Sequence, residues 1–276
     1  MTKFVANLLG AELTVEGFPY MGQDMDVTVC THSALWSCLR HFSQRYPEYP
    51  GVHPYEITQL TQDFSSGRLV PSQGLTMGQV TESLSRYGFH PRYYNEVNFA
   101  DRSGFERLLH TYIESGIPAI IGLALPNGTG HAVVGIGHSS DFTRMLSPGI
   151  RWSHEYFSGL IMNDDNLPPY RSVLIDSRPD GGADTGYTLD NVDGFVVPLY
   201  EKIYLAAKDA FTIVEEIISH ERTGLSRFQP PGLPPDDSLI RLFLTSPRSW
   251  KRNCRGSRIP GGLGLLYSTI PVPRFI

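Results

Sequence analysis

The run GIPAIIGLALPNGTGHAVVGIGH, residues 116–138, constrains the fold more than any other part of the chain. Two stretches of small and β-branched residues flank PNGTG, a strong turn signal. The pattern predicts an antiparallel hairpin that is buried on at least one face. A strand that only filled a core would have no need of His131 at its mouth. His138 closes the same strand. A separation of seven residues puts it on the opposite face and about a strand length away, as a surface or loop residue.

Helical periods precede this hairpin and strand periods follow it. Leu35, Cys38, Leu39 and Phe42 recur at helical spacing from about Thr31 to Gln44, and RYPEYPGVHPY ends that run. GLTMGQVTESLSRYGFHP reads as a helix capped by Thr76, with Gly88 at the left-handed C-terminal position and Pro91 beyond it. DRSGFERLLHTYIESG is a third helix, with Phe105, Leu108, Leu109, Tyr112 and Ile113 on its apolar stripe. After the hairpin, GLIMNDDN, SVLID and GFVVPLY read as strands. Helices followed by strands predict an α+β domain over residues 1–200. Residues 201–276 form a C-terminal extension of a different character. It has a helix in YLAAKDAFTIVEEIISHERTG, a proline-rich loop in RFQPPGLPPDDS, a strand candidate in LIRLFLT and an irregular tail.

Composition narrows the classes. With 41% hydrophobic and 18% charged residues, the 276-residue chain is globular rather than disordered. A formal charge of −5, without blocks of like charge, points away from nucleic acid. The basic stretch SPRSWKRNCRGSR is a short local patch. No segment has the roughly 18–20 consecutive apolar residues of a membrane helix, so no membrane partner is expected. The first residues make a poor secretory signal. Three cysteines, Cys30, Cys38 and Cys254, form no disulfide framework and fit a reducing, cytoplasmic setting. Without a CxxC or HxxxH pair, and with no further ligand spacing around Asp164 and Asp165, neither a metal nor another cofactor is expected.

The chemistry-bearing residues fall in a telling order. A cysteine nucleophile needs a route to the thiolate, a histidine to move the proton, and a group to orient that histidine. Cys30 stands at the start of the first helix, where unpaired backbone N–H groups favour negative charge. Cys38, two turns along on the apolar stripe, is a core residue. His131 is the candidate base. Asn163, Asp164 and Asp165 end a later strand, where one of them can accept the imidazole N–H. Gln23, in GQDMDVTVC, can donate to an oxyanion together with the backbone N–H of Cys30. His32 points along the helix, and His53, His90 and His110 stand in no motif.

This order resembles that of papain-like cysteine peptidases, above all the bacterial branch of double-glycine leader (bacteriocin-processing) peptidases. GIPAIIGLALPNGTGHAVVGIGH is similar to that branch's histidine-bearing hairpin, and GLTMGQVTESLSRYGFHP to its glycine-leucine helix. The resemblance covers residues ~18–200. It implies a papain-like fold, with a helical N-terminal half packed on an antiparallel sheet. It also implies Cys30 as nucleophile, His131 as base and Gln23 as oxyanion donor. LIMN matches the family's third-member pattern at Asn163. Asp164 is the adjacent rival, since the leader-peptidase branch uses an aspartate there. The chain departs from the family in three places. Thr31 and His32 replace small residues after the cysteine, Gln23 lies one position further from Cys30 than is typical, and DDNLPPY replaces Asp-Pro. The expected activity is cleavage of a peptide, amide or isopeptide bond in a peptide or protein substrate. The alternatives are an inactive peptide-binding module of the same fold and a transglutaminase- or deamidase-type acyl transferase.

Overall fold

Capping defines the first boundaries. Thr76 accepts the Gln79 amide while the Gln79 side chain accepts the Thr76 amide, a reciprocal capping box that starts a helix. Gly88, at φ +85°, closes that helix in the left-handed conformation its sequence predicts. Asp101 caps the next helix through the Gly104 amide, and Gly116, at φ +74°, follows its end. The computed structural model describes residues 2–22, 30–62, 74–126, 128–143, 149–174, 187–219 and 237–246. Gln23, Cys254, nearly all of the basic stretch, the proline-rich loop except its last two residues, the end of SVLID and the C-terminal tail lie outside them.

The elements in chain order are strands β1 (Thr2–Leu8) and β2 (Ala11–Gly17), helices α1 (Cys30–Arg45), α2 (Pro54–Gln62) and α3 (Met77–Arg86), strand β3 (Arg92–Asn95) and helix α4 (Arg102–Glu114). Strands β4 (Ala119–Ala124), β5 (Gly130–Ser140), β6 (Gly149–Trp152), β7 (Phe157–Asn163), β8 (Arg171–Leu174) and β9 (Val192–Val197) follow. Helix α5 (Ala207–Ser219) and strand β10 (Asp237–Ile240) complete the described chain. The class is α+β. Six strands form one antiparallel sheet in the order β3-β9-β4-β5-β7-β8. The β4–β5 hairpin lies at its centre, as the sequence predicts. Helices α1 and α4 pack against β5, and α3 packs against β9.

Three features were not legible beforehand. The β1–β2 hairpin carries Val5, Leu8, Leu13 and Val15 exposed, so no buried face marks it in the sequence. Helix α2 follows a proline-rich stretch that reads as a loop, and its Pro54 occupies the first helical position, where a missing N–H costs nothing. Strand β3 is only four residues long. The residues beyond 200 do not stand apart from the sheet domain. Ala207, Ala210, Phe211 and Leu244 are buried in the same core cluster as Leu35, Tyr112 and Phe195. The Ala207 amide donates to Tyr112 Oη at 3.0 Å, and the Leu244 amide to Ser115 Oγ at 2.9 Å. Of LIRLFLT, only its first two residues extend a strand, β10, which pairs in parallel with β6.

The core also encloses histidines. His41 is 2% exposed, stacks on Phe18 with ring centroids 4.7 Å apart, and has no hydrogen-bond partner for Nδ1. Burial and then the Arg45 charge hold its pKa down at about 3. A depressed histidine pKa contributes stability that is complete above the unfolded value of about 6.5 and is lost as pH falls towards the folded value. By pH ~5 the loss from this one ring is about 2 kcal/mol. His41→Phe is therefore expected to make the unfolding free energy fall less between pH 7 and 5 than in the parent protein. Denaturant titrations at the two pH values measure this, and an equal fall in both proteins would refute it.

Candidate functional site

Cys30 is the first residue of α1, so its backbone N–H is among those with no partner inside the helix. Its thiol is partly exposed, whereas Cys38 is fully buried. Burial alone raises the Cys30 pKa. Hydrogen bonding to His131, the charge on that ring, the Ala132 backbone and the Thr31 hydroxyl outweigh this and leave it below its ordinary value. Burial has no such opposition at Cys38 and pushes that thiol far up. Thr31 is buried, with its hydroxyl 3.8 Å from the Cys30 sulfur and 3.3 Å from the Leu75 carbonyl, to which it donates. His32 is 3% exposed, and burial alone lowers its pKa, with no contribution from Cys30.

His131 enters from the sheet. It pairs with Leu123 across the central hairpin, at the end of β5 next to the turn. Its Nε2 lies 2.9 Å from Asp164 Oδ1. With that nitrogen engaged, Nδ1 is the nitrogen left for the interaction with Cys30. Burial disfavours the charged ring. The Asp164 and Cys30 bonds and the charges of both partners overcome it and raise the His131 pKa to about 10. Between the lowered thiol pKa and this value the pair is a thiolate and an imidazolium.

Asp164 is fully buried. Burial raises its pKa, but the His131 bond, the Asn166 amide at 2.9 Å and the Tyr187 side chain bring it below the ordinary carboxylate value. The Tyr187 ring centroid is 5.9 Å from that of His131. Asp165 stands behind, with Oδ1 3.8 Å from His131 Nε2 and its side chain only 4% exposed. Burial raises its pKa, the His131 charge pulls it back, and the Asp164 charge adds to the rise, leaving it at about 6. The sequence held no sign of Tyr187, and its pattern pointed to Asn163 with Asp164 as rival, leaving Asp165 without a role.

Asn163 does different work. Its Oδ1 accepts the Tyr170 amide at 2.9 Å and its Nδ2 donates to the Pro19 carbonyl at 3.4 Å. Tyr170 Oη in turn accepts the Phe18 amide at 2.7 Å, and Tyr20 Oη donates to the Leu167 carbonyl at 2.8 Å. Asn163 thus clamps the loop that presents Asp164, and it is not the residue bonded to His131. Strand alternation explains the switch. Asn163 is the last residue of β7 and pairs with Val134, whereas Asp164 lies just past the strand end, beside the start of β5.

Among the described residues, two groups have ligand atoms within 4.8 Å of one another: His131, Asp164 and Asp165, and His110, Glu114 and His138. In the first, a metal would have to displace the bond between His131 and Asp164. The second contains two histidines that the sequence left without a role. His138 is not a surface or loop residue. It lies within β5 opposite Leu160, and its ring centroid is 4.5 Å from that of His110. The i, i+4 spacing of His110 and Glu114 on α4 was the available signal. No helix among the described residues is long and apolar enough to cross a membrane. No protein-family model matches the chain, and no curated protein matches it.

Asp164 and Asn163 are separable by experiment. Asp164→Asn removes the charge that sustains the imidazolium, so the apparent pKa of Cys30 is expected to rise. The pH dependence of iodoacetamide alkylation reads this directly. Asn163→Ala is expected to leave that pKa within a few tenths of a unit while lowering stability by about 1–3 kcal/mol, because buried backbone groups lose their partners. A shifted alkylation profile in Asn163→Ala would reverse the two roles. Asp165 has the opposite sign. A raised carboxyl pKa contributes stability that is complete below about 3.8 and lost as pH rises through about 6. Asp165→Asn is therefore expected to be more stable than the parent at pH ~7.5, on the order of 1–3 kcal/mol, with the difference gone by pH ~4. A melting series across that range tests it.

Proposed function

We propose that this chain is a papain-like cysteine hydrolase that cleaves a peptide, amide or isopeptide bond. The single observation that carries the reading is the continuous line Cys30–His131–Asp164. The thiol stands at a helix start and interacts electrostatically with the imidazole, whose Nε2 is held at 2.9 Å by a buried carboxylate. Each member supplies what the next needs. Asp164 fixes the ring and favours its charged form, the imidazolium favours the thiolate, and the thiolate is the nucleophile.

In the reaction the Cys30 sulfur attacks the carbonyl carbon, and the carbonyl oxygen gains the negative charge. The Cys30 backbone N–H, and Gln23 by resemblance, serve as donors to that oxyanion. His131 gives its proton to the leaving amine as the C–N bond breaks, which leaves a thioester on Cys30. The neutral ring then takes a proton from water, the hydroxyl adds to the thioester, and the acid is released with the thiol restored. Acyl transfer and deamidation share the thioester and differ only in the second nucleophile or the leaving group.

The order helix, hairpin, strand and polar loop, with α1 and α4 on an antiparallel sheet, supports the papain-like assignment. The test is activity of the full chain on a peptide library, with products identified by mass spectrometry. Cys30→Ala is expected to abolish turnover, and His131→Ala to lower it by about 10²–10⁴. The profile of kcat/KM against pH is expected to rise through a pKa below 9 and fall near 10, where the imidazolium loses its proton. Product joined to an amine, or glutamine converted to glutamate, would favour the transferase. Peptide binding without turnover, unchanged in Cys30→Ala, would favour the binding module.

A further inference from the structure

Strand β5 begins at His131 and, seven residues later, carries His138 into a second cluster. Here α4 presents His110 and Glu114, one turn apart on a single helix face. Both are enclosed, with side chains 1% and 3% exposed. His110 Nε2 faces Glu114 Oε2 at 3.5 Å and yet has no hydrogen-bond partner, although it is buried. Buried ring nitrogens are normally bonded, so this one is aimed at something else. His138 packs on the other side, its ring against His110 and Phe157. Its Nδ1 lies 3.4 Å from Ser140 Oγ.

We infer that His110, Glu114 and His138 form a binding site for a divalent transition-metal ion of the zinc type. Three observations carry this beyond a chance cluster. The three ligand atoms lie within 4.8 Å of one another. Two donors about 2.0–2.1 Å from a tetrahedral ion are about 3.4 Å apart, and the His110–Glu114 pair already stands at 3.5 Å. The surrounding groups also do the work of a supporting shell. Ser153 Oγ donates to Glu114 Oε2 at 2.8 Å, and Arg241 binds Oε1, which holds the carboxylate with Oε2 towards His110.

The donor set of two imidazoles and one carboxylate suits zinc, and cobalt as its spectroscopic substitute, rather than calcium or magnesium. The Arg241 guanidinium repels a cation, and the Glu114 carboxylate between them offsets it. With His110 and Glu114 both buried, the ion's work is to brace α4 on β5 and, through Glu114, the segment around Arg241. The inference does not depend on the proposed hydrolase.

The test uses the full chain with Cys30→Ala, His131→Ala and Cys254→Ser, so that thiols and the first site cannot compete for the ion. After chelator treatment, Zn²⁺ binding is measured by equilibrium dialysis with elemental analysis, and Co²⁺ binding by its visible absorption. One ion per chain, a tetrahedral cobalt spectrum and a metal-dependent rise in Tm are expected. His110→Gln and His138→Gln keep side-chain bulk and are expected to weaken binding by about 100-fold or more, with loss of the Tm rise. Circular dichroism of the metal-free variants checks that they fold. A parent chain that binds no ion, or an affinity unchanged in both folded Gln variants, overturns the site.

Discussion

The bond between His131 and Asp164 ties the structure's two halves to one chemistry. One partner comes from the hairpin at the centre of the sheet and the other from the loop after β7, and each is too buried to be charged alone. Placing a carboxylate where no water reaches it is expensive unless a charged or donating partner meets it there. That requirement explains much of what surrounds the pair. The Asn166 amide and Tyr187 approach Asp164, and Cys30 interacts with the ring. Charge is stabilised here through a chain of neighbours, and removing any link strands the next.

Asp165 qualifies this. A second carboxylate beside an ion pair adds negative potential to the imidazolium while holding its own proton up to about pH 6. Its oxygens and Asp164 Oδ2 lack partners of ordinary hydrogen-bond geometry. Such a group is costly to the folded state and favourable to the charged ring, the kind of local conflict that concentrates where proteins act rather than where they merely pack.

The sequence was most readable where local rules and tertiary demands agreed. The capping box of α3, the left-handed Gly88 and the central hairpin follow from spacing and turn chemistry that no distant contact contradicts. Cys30 and His131 were readable as types at the edges of elements, a helix start and a strand start. The rest depended on contacts that periodicity does not encode. Asn163 and Asp164 differ by one position, and only the end of β7 decides which faces His131 and which grips Pro19. His138 was misread because alternation was counted along an ideal strand. In the structure the β5–β7 register shifts between Gly135 and Gly137, and helix α4 covers that end of the strand. The extension beyond residue 200 looked separable by composition, yet Phe211 and Leu244 complete the core over α4.

The clamp around Asn163 has a consequence for the order of assembly. Its hydrogen bonds join positions 144 and 152 residues apart, closing the beginning of the chain onto the loop after β7. Contacts so distant in sequence are slow to form, because loop-closure entropy must be met before they contribute. During synthesis, Cys30 and helix α1 emerge before the hairpin with His131. The loop that carries Asp164 cannot be fastened until Tyr170 has been added and has reached back to Phe18. The thiol is therefore made before the carboxylate that favours the charged form of its partner, and the line from Cys30 to Asp164 is completed only after that closure.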